Sequence, residues 1–183
     1  GIIHEFNERE YTVFELMVIM LIQSDNTAAN KIIDIVGMEQ INEDIIAMGL
    51  KNTRLNRKTN DERTAITDVE NITTAYDLSK IWKHLANGTF LSKDNGQMLI
   101  DILRRQQIKN KLALYIPDDL KIEISSKTGD KKGVENDTAY LELPKGKFVF
   151  TVLSQDIPNS VYGTVSLAKC GKMMWDGVMN NWN

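Results

Sequence analysis

Residues 121–154 have the sequence KIEISSKTGDKKGVENDTAYLELPKGKFVFTVLS. Apolar and polar residues alternate in three short runs, at 121–127, 134–143 and 147–154, and a Pro-Lys-Gly link at 144–146 joins the last two runs. Alternation with a period of two is typical of strands with one buried face, and a link of this kind is typical of a tight turn. The stretch therefore predicts a three-stranded antiparallel meander.

The residues before this meander carry the capping signals and the spacing of helices. Thr12 and Glu15 fit a capping box, and the run at 13–22 is apolar on nearly all sides, so it predicts a helix that is buried over most of its surface. Four more helices are predicted from periodic apolar residues and from cap residues such as Thr74 and Ser92. Their predicted spans are 27–37, 41–49, 74–88 and 92–105.

A last helix is predicted after the meander, because the pattern there is amphipathic. The side chains expected to face inward are Val165, Trp175, Val178, Met179 and Trp182. The whole pattern predicts an α+β fold: a helical lobe over 1–116, with a polar loop at 50–72, and an antiparallel three-stranded sheet with a C-terminal helix over 117–183. A loop of that length inside a folded domain is usually functional or disordered.

Length and composition argue against several classes of function. The net charge of −3 over 183 residues argues against nucleic-acid binding, which needs a concentrated basic face. The longest apolar stretch, 13–22, is too short to span a bilayer and contains Glu15, so no membrane segment is expected. His4 and His84 lack the spacing of metal ligands, and neither a metal nor another cofactor is expected. The single cysteine, Cys170, excludes an internal disulfide bond.

Two tripeptides contain residue types that acyl-transfer chemistry uses. Ser24-Asp25-Asn26 lies between two predicted helices, and Lys127-Thr128-Gly129 lies at the end of the first predicted strand. Taken singly, each has a structural explanation, because serine, aspartate and asparagine are all good helix N-caps and a glycine can end a strand in a turn. Their order and their places on the predicted elements favour a shared site over coincidence.

In this order and context the two tripeptides resemble the S-D-N and K-T-G motifs of class A β-lactamases and penicillin-binding serine hydrolases. The resemblance extends over nearly the whole chain. Residues 24–30 resemble the family's S-D-N segment, 53–57 the start of its omega loop, 73–78 the helix after that loop, and 106–129 the approach to K-T-G. It implies the three-layer fold of β-lactamases and transpeptidases, and a location that is extracellular, at the cell surface or periplasmic.

The resemblance also implies roles for individual residues. Ser24 and Lys127 would be catalytic: Ser24 would relay a proton between the nucleophile, Lys127 and the leaving nitrogen, and Lys127 would supply positive charge. The substrate would be a β-lactam or a D-Ala-D-Ala-type peptide. The residues that would bind it are Asn26, for its side-chain amide, Thr128, for its carboxylate, Gly129, which leaves room along the strand, and Asp130, whose backbone N–H would enter the oxyanion hole.

The chain departs from the family pattern in its nucleophile motif. The family places S-x-x-K ahead of S-D-N, but no serine precedes Ser24, and the sole match is Ser166-Leu-Ala-Lys169 in the last predicted helix. We therefore expect the family's first helix, first two strands and nucleophile helix to lie outside this sequence. The strand at 147–154 would then be an open sheet edge, to be covered by an upstream fragment or by the partner in a homodimer.

The predicted omega loop also departs from the class A pattern. Counted from Arg57, the position of the deacylating glutamate holds Thr59, and the position of the family's water-holding asparagine holds Arg63. Asp61 and Glu62 lie nearby but out of register. A carboxylate is needed to activate water against an acyl-enzyme, so fast β-lactam hydrolysis is not expected unless a shift of the loop brings Glu62 into place.

Three functions agree with these patterns. The first is a β-lactamase-like serine hydrolase whose nucleophile lies upstream, so that this chain alone would be inactive. The second is a catalytically inactive module of the same fold that binds penicillin or peptidoglycan peptides, or that has a regulatory role. The third is a helical interaction protein whose motifs are coincidental. Asp130 directly after Lys-Thr-Gly, together with a loop of family length, favours the first two.

Overall fold

The meander predicted from residues 121–154 lies between two layers of helices. The computed structural model describes residues 1–59, 69–117 and 122–182. After a short 3-10 helix at Ile3–Glu5, the elements in chain order are α1 (Val13–Gln23), α2 (Asn26–Val36), α3 (Met38–Ala47), α4 (Ala75–Asn87), α5 (Lys93–Arg104), β1 (Glu123–Lys131), β2 (Val134–Leu143), β3 (Gly146–Val152) and α6 (Ser160–Asn181). The predicted helices and strands are therefore all present.

The three strands pair in the order β1-β2-β3, and both pairs are antiparallel, as the sequence predicts. β2 matches its predicted bounds, whereas β1 extends to Lys131, which pairs with Val134 next to the connecting turn. Lys127-Thr128-Gly129 thus lies inside β1. The prediction that this tripeptide ends the strand is wrong, because the ladder of backbone hydrogen bonds continues past it.

Side chains on the two faces of β2 enter two separate cores. Ala139 and Leu141 lie on one face, in a cluster with residues of α6 such as Trp175. Tyr140, between them in sequence, lies on the other face and stacks on Trp82 of α4, with 5.7 Å between the ring centroids. This alternation produces three layers, in which the sheet separates α6 from α4 and α5.

α1 begins at the predicted capping box. Thr12 Oγ1 accepts from the Glu15 N–H at 3.1 Å, and Glu15 Oε2 accepts from the Thr12 N–H at 2.8 Å. The prediction that this helix is buried over most of its surface is wrong, since Leu16 is its one fully buried residue and Val13 and Phe14 are more than half exposed. The reason is that α1 packs on α2 and α5, and its other side has no comparable neighbour among the described elements.

α6 buries a narrower stripe than the sequence predicts. Its buried residues, which mostly follow spacings of three and four, are Gly163, Leu167, Ala168, Gly171, Trp175 and Val178. Trp175 and Val178 agree with the prediction, but Val165 and Met179 fall off this stripe and are exposed. Trp182 lies beyond the end of the helix, where its exposed ring packs edge-on against a phenylalanine of β3.

Side-chain amides hold the described parts of the loop at 50–72. Asn42 Oδ1 accepts from the N–H of Leu55 at 2.9 Å, and Asn42 Nδ2 donates to the carbonyl of the same residue at 2.8 Å. Asn71 binds the backbone of residues 56–57 in a similar way. An amide side chain carries both a donor and an acceptor. It can therefore form the two hydrogen bonds that a backbone peptide unit would otherwise form with a neighbouring strand. Together with an antiparallel bridge between Arg54 and Ile72, these amides fix the described parts of the loop backbone.

Gly171 allows α6 to contact the segment that precedes β1. A Cβ built at Gly171 would lie 2.1 Å from the carbonyl oxygen of Leu112, whereas a Cβ at Gly177 of the same helix would meet nothing within 4 Å. We expect Gly171→Ala to lower the free energy of unfolding by about 1–3 kcal/mol, since the backbone must shift. The matched control, Gly177→Ala, should leave it unchanged or raise it by up to about 1 kcal/mol. Urea unfolding measures both, and equal effects would contradict the close contact.

Candidate functional site

The Ser-Asp-Asn tripeptide lies at the junction of α1 and α2, where its backbone is held in an unusual conformation. Ser24 ends α1 with φ of 55° and ψ of 39°, in the left-handed region that favours glycine. Asp25 then caps α2: its Oδ1 accepts from the Ala28 N–H at 2.9 Å, and its Oδ2 accepts from the N–H groups of Ile2 and Ile3. Strain of this kind costs about 1–3 kcal/mol, persists only where the surroundings impose it, and clusters at functional sites.

The Ser24 hydroxyl accepts a hydrogen bond from Lys127, with 2.7 Å between Oγ and Nζ. Lys127 Nζ also donates to the carbonyl of Thr128 at 2.7 Å. Burial lowers the pKa of Lys127 to about 8, although the nearby carboxylates of Asp130 and Asp137 oppose the shift. A lysine with this pKa is a mixture of ammonium and amine not far above neutral pH, so it can attract an anion and also exchange a proton with Ser24.

A cavity of about 730 Å³ lies between the loop at 50–72 and the end of β1, and it is lined by Asn26 and Gly129, each two residues along the chain from Ser24 or Lys127. On the strand side it is lined by Gly129 and Asp130, and on the loop side by Thr59, while Asn26 belongs to the start of α2. A volume of this size suits a small-molecule ligand. The chain neighbours of the lysine–serine pair thus line a space of ligand size, although Ser24 and Lys127 are not among its lining residues.

Of the six predicted site residues, three line the cavity and two others bind each other. These five are Ser24 and Lys127, which bind each other, and Asn26, Gly129 and Asp130, which line the cavity. Thr128 differs, because it is 4% exposed and its hydroxyl has no hydrogen-bond partner among the described residues. Its partner on β2 is Asp137, whose Oδ1 also lacks one in that part of the chain. The role of Thr128 toward a substrate carboxylate stays a prediction.

A fully buried lysine, Lys111, lies behind the end of β1, and no sequence motif marks it. Its side chain is 2% exposed and forms ion pairs with Asp130 and Glu135, the latter at 2.6 Å. The sole signal is a charged residue inside the run IKNKLALYI at 108–116, and such a lysine is normally expected at the surface. Tertiary structure therefore links the side chain of Asp130 to a buried cation.

Thr59 lies on the loop side of the cavity and is held by Asn30 of α2. Asn30 Oδ1 accepts from the Thr59 N–H at 3.0 Å and from its hydroxyl at 2.9 Å, and Asn30 Nδ2 donates to the Thr59 carbonyl at 2.9 Å. These bonds fix the hydroxyl of Thr59 at the edge of the cavity. Asp61, Glu62 and Arg63, which the sequence analysis considers beside it, lie outside the described residues.

Glu70 is an acidic residue on the loop side of the same cavity. Its carboxylate bridges Lys131 of β1 and Arg57 of the loop, at 2.5 and 2.8 Å. The hydrogen bonds from Lys131 and Arg57 lower the pKa of Glu70. A carboxylate that is paired in this way is a weak base, so its contribution is to join the loop to the strand across the cavity.

His84, which lacks the spacing of a metal ligand in the sequence, forms contacts within the helical lobe. The ring nitrogens of His84 lie 2.7 Å from the Thr89 hydroxyl and 2.9 Å from the Met48 carbonyl. Among the described residues, no group of three His, Cys, Asp or Glu side chains is arranged to hold a metal ion. None of the helices in that part of the chain is long and apolar enough to cross a membrane.

Comparisons with known proteins agree with the predicted fold. A family model described as the β-lactamase enzyme family matches residues 1–178. A β-lactamase from Sphaerobacter thermophilus DSM 20745 is 28% identical with a TM-score of 0.90, over 97% of this chain and 67% of that one. A mutant of PBP-A, in an acyl-enzyme complex with penicillin G, is 25% identical with a TM-score of 0.86, over 98% and 66%. An ancestral class A β-lactamase is 25% identical with a TM-score of 0.82, over 91% and 66%.

These matches confirm the predicted α+β fold of the β-lactamase kind. The chain spans about two thirds of the length of the solved structures that it matches. No curated protein sequence matches the chain significantly.

The lowered pKa of Lys127 predicts a dependence of stability on pH. Between about 8 and the ordinary value of 10.5, the unfolded chain binds a proton at Lys127 that the folded chain has released. The free energy of unfolding should therefore gain a contribution that rises with pH across this window, and Lys127→Met should remove it. Urea unfolding at a series of pH values measures the effect, with exposed Lys132→Met as the control. Identical pH profiles for the wild type and Lys127→Met would contradict the shift.

Proposed function

Because the chain belongs to the β-lactamase enzyme family, we propose that residues 1–183 form the substrate-recognition and proton-transfer part of a serine acylase site. The substrate would be a β-lactam or a D-Ala-D-Ala-type peptide, since both present an amide beside a carboxylate. The observation that carries the proposal is the hydrogen bond between Lys127 Nζ and Ser24 Oγ, together with a cavity of ligand size lined by their chain neighbours Asn26 and Gly129. The acyl-enzyme complex of a PBP-A mutant with penicillin G supports it.

The nucleophile of the proposed site would come from outside residues 1–183. No serine precedes Ser24, and the chain spans about two thirds of the matched structures. An upstream helix with S-x-x-K would cover the side of α1 where Val13 and Phe14 are exposed. Upstream strands would extend the sheet at β3, whose sole ladder partner among the described strands is β2. A homodimer is the other arrangement that would cover this edge.

In the proposed acylation, the serine oxygen attacks the carbonyl carbon, its proton passes to a base of the S-x-x-K segment, and the scissile C–N bond breaks. The leaving nitrogen takes a proton from Ser24 Oγ, and Ser24 recovers one from the Lys127 ammonium. Before the reaction, the charge of Lys127 attracts the substrate carboxylate. The backbone N–H of Asp130 stabilises the oxyanion, and Asn26 orients the side-chain amide of the substrate.

Hydrolysis of the resulting acyl-enzyme would be slow. Thr59 occupies the position where class A enzymes have the glutamate that activates water, and its hydroxyl already donates to Asn30. Glu70 does not replace that glutamate, because Lys131 and Arg57 pair with its carboxylate. The protein would therefore be a penicillin-binding acylase rather than a fast β-lactamase, and would act outside the cytoplasm, where cell-wall peptides are found.

A second candidate is a catalytically inactive module of the same fold that binds penicillin or peptidoglycan peptides, or regulates through them. Two observations favour it. Thr59 provides no base for turnover, and the Thr128 hydroxyl is shielded from solvent although a role toward the substrate carboxylate is expected of it. Such a module would keep the cavity and the charge of Lys127 without a covalent step.

Acylation separates the two candidates. We expect a longer product of the same gene that carries S-x-x-K upstream of Gly1 to gain the mass of one penicillin G molecule, as measured by intact-mass spectrometry. A Lys127→Met variant of that product should acylate at least about 100-fold more slowly, because the proton transfers lose their amine. A longer product that stays unmodified but binds penicillin G would support the inactive module. One that neither reacts nor binds would contradict both.

Deacylation tests the role of Thr59. In the longer product, Thr59→Glu should shorten the lifetime of the penicillin G adduct by about 100-fold or more, because a carboxylate at this position can activate water. Thr59→Gln is the matched control, since it has nearly the same size without the carboxylate. The lifetime is read by following the loss of the adduct mass after excess antibiotic is removed. Equal lifetimes for the two variants would contradict the assignment of Thr59 to this position.

A further inference from the structure

The C-terminal end of α1 is bound by side-chain and backbone donors from a distant segment. A helix leaves its last carbonyl groups without partners in the helix itself. In α1, the carbonyl of Leu21 accepts from Gln106 Nε2 at 3.0 Å, and the carbonyl of Ile22 accepts from the Gln107 N–H at 3.2 Å. The segment after α5 thus caps the helix that ends at Ser24.

The same Gln106 side chain binds β1. Its Nε2 donates to the carbonyl of Ser126 at 3.3 Å, while its Oε1 accepts from the N–H groups of Gln107 and Ile108 at 3.0 and 3.2 Å. An amide side chain has two N–H donors and one oxygen with two lone pairs, so each is used here. Gln106 is 1% exposed, and no solvent competes for these bonds.

The two carbonyls that Gln106 Nε2 binds lie next to the catalytic pair in sequence. Leu21 is three residues before Ser24, and Ser126 immediately precedes Lys127. We infer that Gln106 is a positioning residue: it links the end of α1 to β1 and thereby sets the separation of Ser24 Oγ and Lys127 Nζ. The catalytic consequence rests on the proposed function, whereas the geometric link does not.

Other residue types would not make this link. A glutamate at this position has no N–H, and even when protonated it could donate to only one of the two carbonyls, whereas a methionine has no N–H or O–H donor for either of them. An asparagine would keep the amide but is shorter by one methylene group, so it could not reach both carbonyls without movement of a helix or a strand. The link therefore predicts a larger change in the surroundings of Lys127 for Gln106→Met than for Gln106→Asn.

The first test uses the 183-residue chain and the titration of Lys127. The Lys127 13Cε resonance, assigned by its loss in Lys127→Met, should titrate near pH 8 in the wild type. In Gln106→Met the cleft between α1 and β1 loosens and water reaches the amine, so the pKa should rise by one unit or more. Gln97→Met, the same change at an exposed site of α5, should leave it within about 0.3 units. An unchanged Lys127 pKa in folded Gln106→Met would overturn the inference.

The conservative variant keeps the inference testable if Gln106→Met does not fold. Gln106→Asn should shift the Lys127 pKa in the same direction by a smaller amount, and an unchanged value would again overturn the inference. In the wild type, the Gln106 side-chain amide protons should exchange with solvent at least 100-fold more slowly than those of exposed Gln97. Equal exchange rates would show that the buried link is absent.

The catalytic consequence has a separate measurement. In the longer product with S-x-x-K, the pH profile of penicillin G acylation should shift in Gln106→Met by the same amount as the Lys127 pKa, while Gln97→Met keeps the wild-type profile. If the wild type is not acylated although the Lys127 pKa responds to Gln106, the proposed function fails and the positioning role stands. An acylation profile that Gln106→Met leaves unchanged would overturn the catalytic part of the inference.

Discussion

The hydrogen bond between Lys127 Nζ and Ser24 Oγ joins two residues that are 103 positions apart, and the rest of the site is arranged around it. On one side, the bond depends on the left-handed backbone of Ser24, which Asp25 maintains by capping α2 and binding residues 2–3. On the other side, it depends on the pairing of β1 with β2. Gln106 connects the two sides, because one buried amide group binds the end of α1 and the residue before Lys127.

The charges around β1 separate the roles of Lys127, on the strand, and Lys111, in the segment before it. Lys111 is buried and already paired with Asp130 and Glu135. Lys127 has a hydroxyl and a carbonyl as its hydrogen-bond partners, and burial lowers its pKa to about 8. Behind the strand, burial raises the pKa of Asp137 to about 6. The charge of Lys127 is therefore less fully compensated than that of Lys111. Among the described residues, the cations that line the cavity itself are Arg57, Lys131 and Lys132.

The loop at 50–72 shows why one part of the site can be predicted from the sequence and another part cannot. Counting along the loop places Thr59 beside the site, and the structure puts Thr59 on the cavity. Its attachment to Asn30, and the bridge from Glu70 to Lys131, join residues that are 29 and 61 positions apart. No local pattern encodes such pairs, because each is a single polar contact between irregular segments. The same reason hides Lys111 and Gln106, because a lysine or a glutamine is normally expected at the surface.

The sequence by itself determines the elements of this protein, because they depend on local rules. Alternating apolar residues predict β2, and cap residues such as Thr12 and Thr74 predict where helices begin. The motif residues Ser24 and Lys127 are also visible in the sequence, since their types and order resemble a known family. The tertiary structure alone decided which surfaces are covered: the start of α1, at Val13 and Phe14, is exposed where the sequence predicts burial, and the residue Thr128 is buried in β1. Burial depends on which neighbours pack against a residue, and those neighbours are distant in sequence.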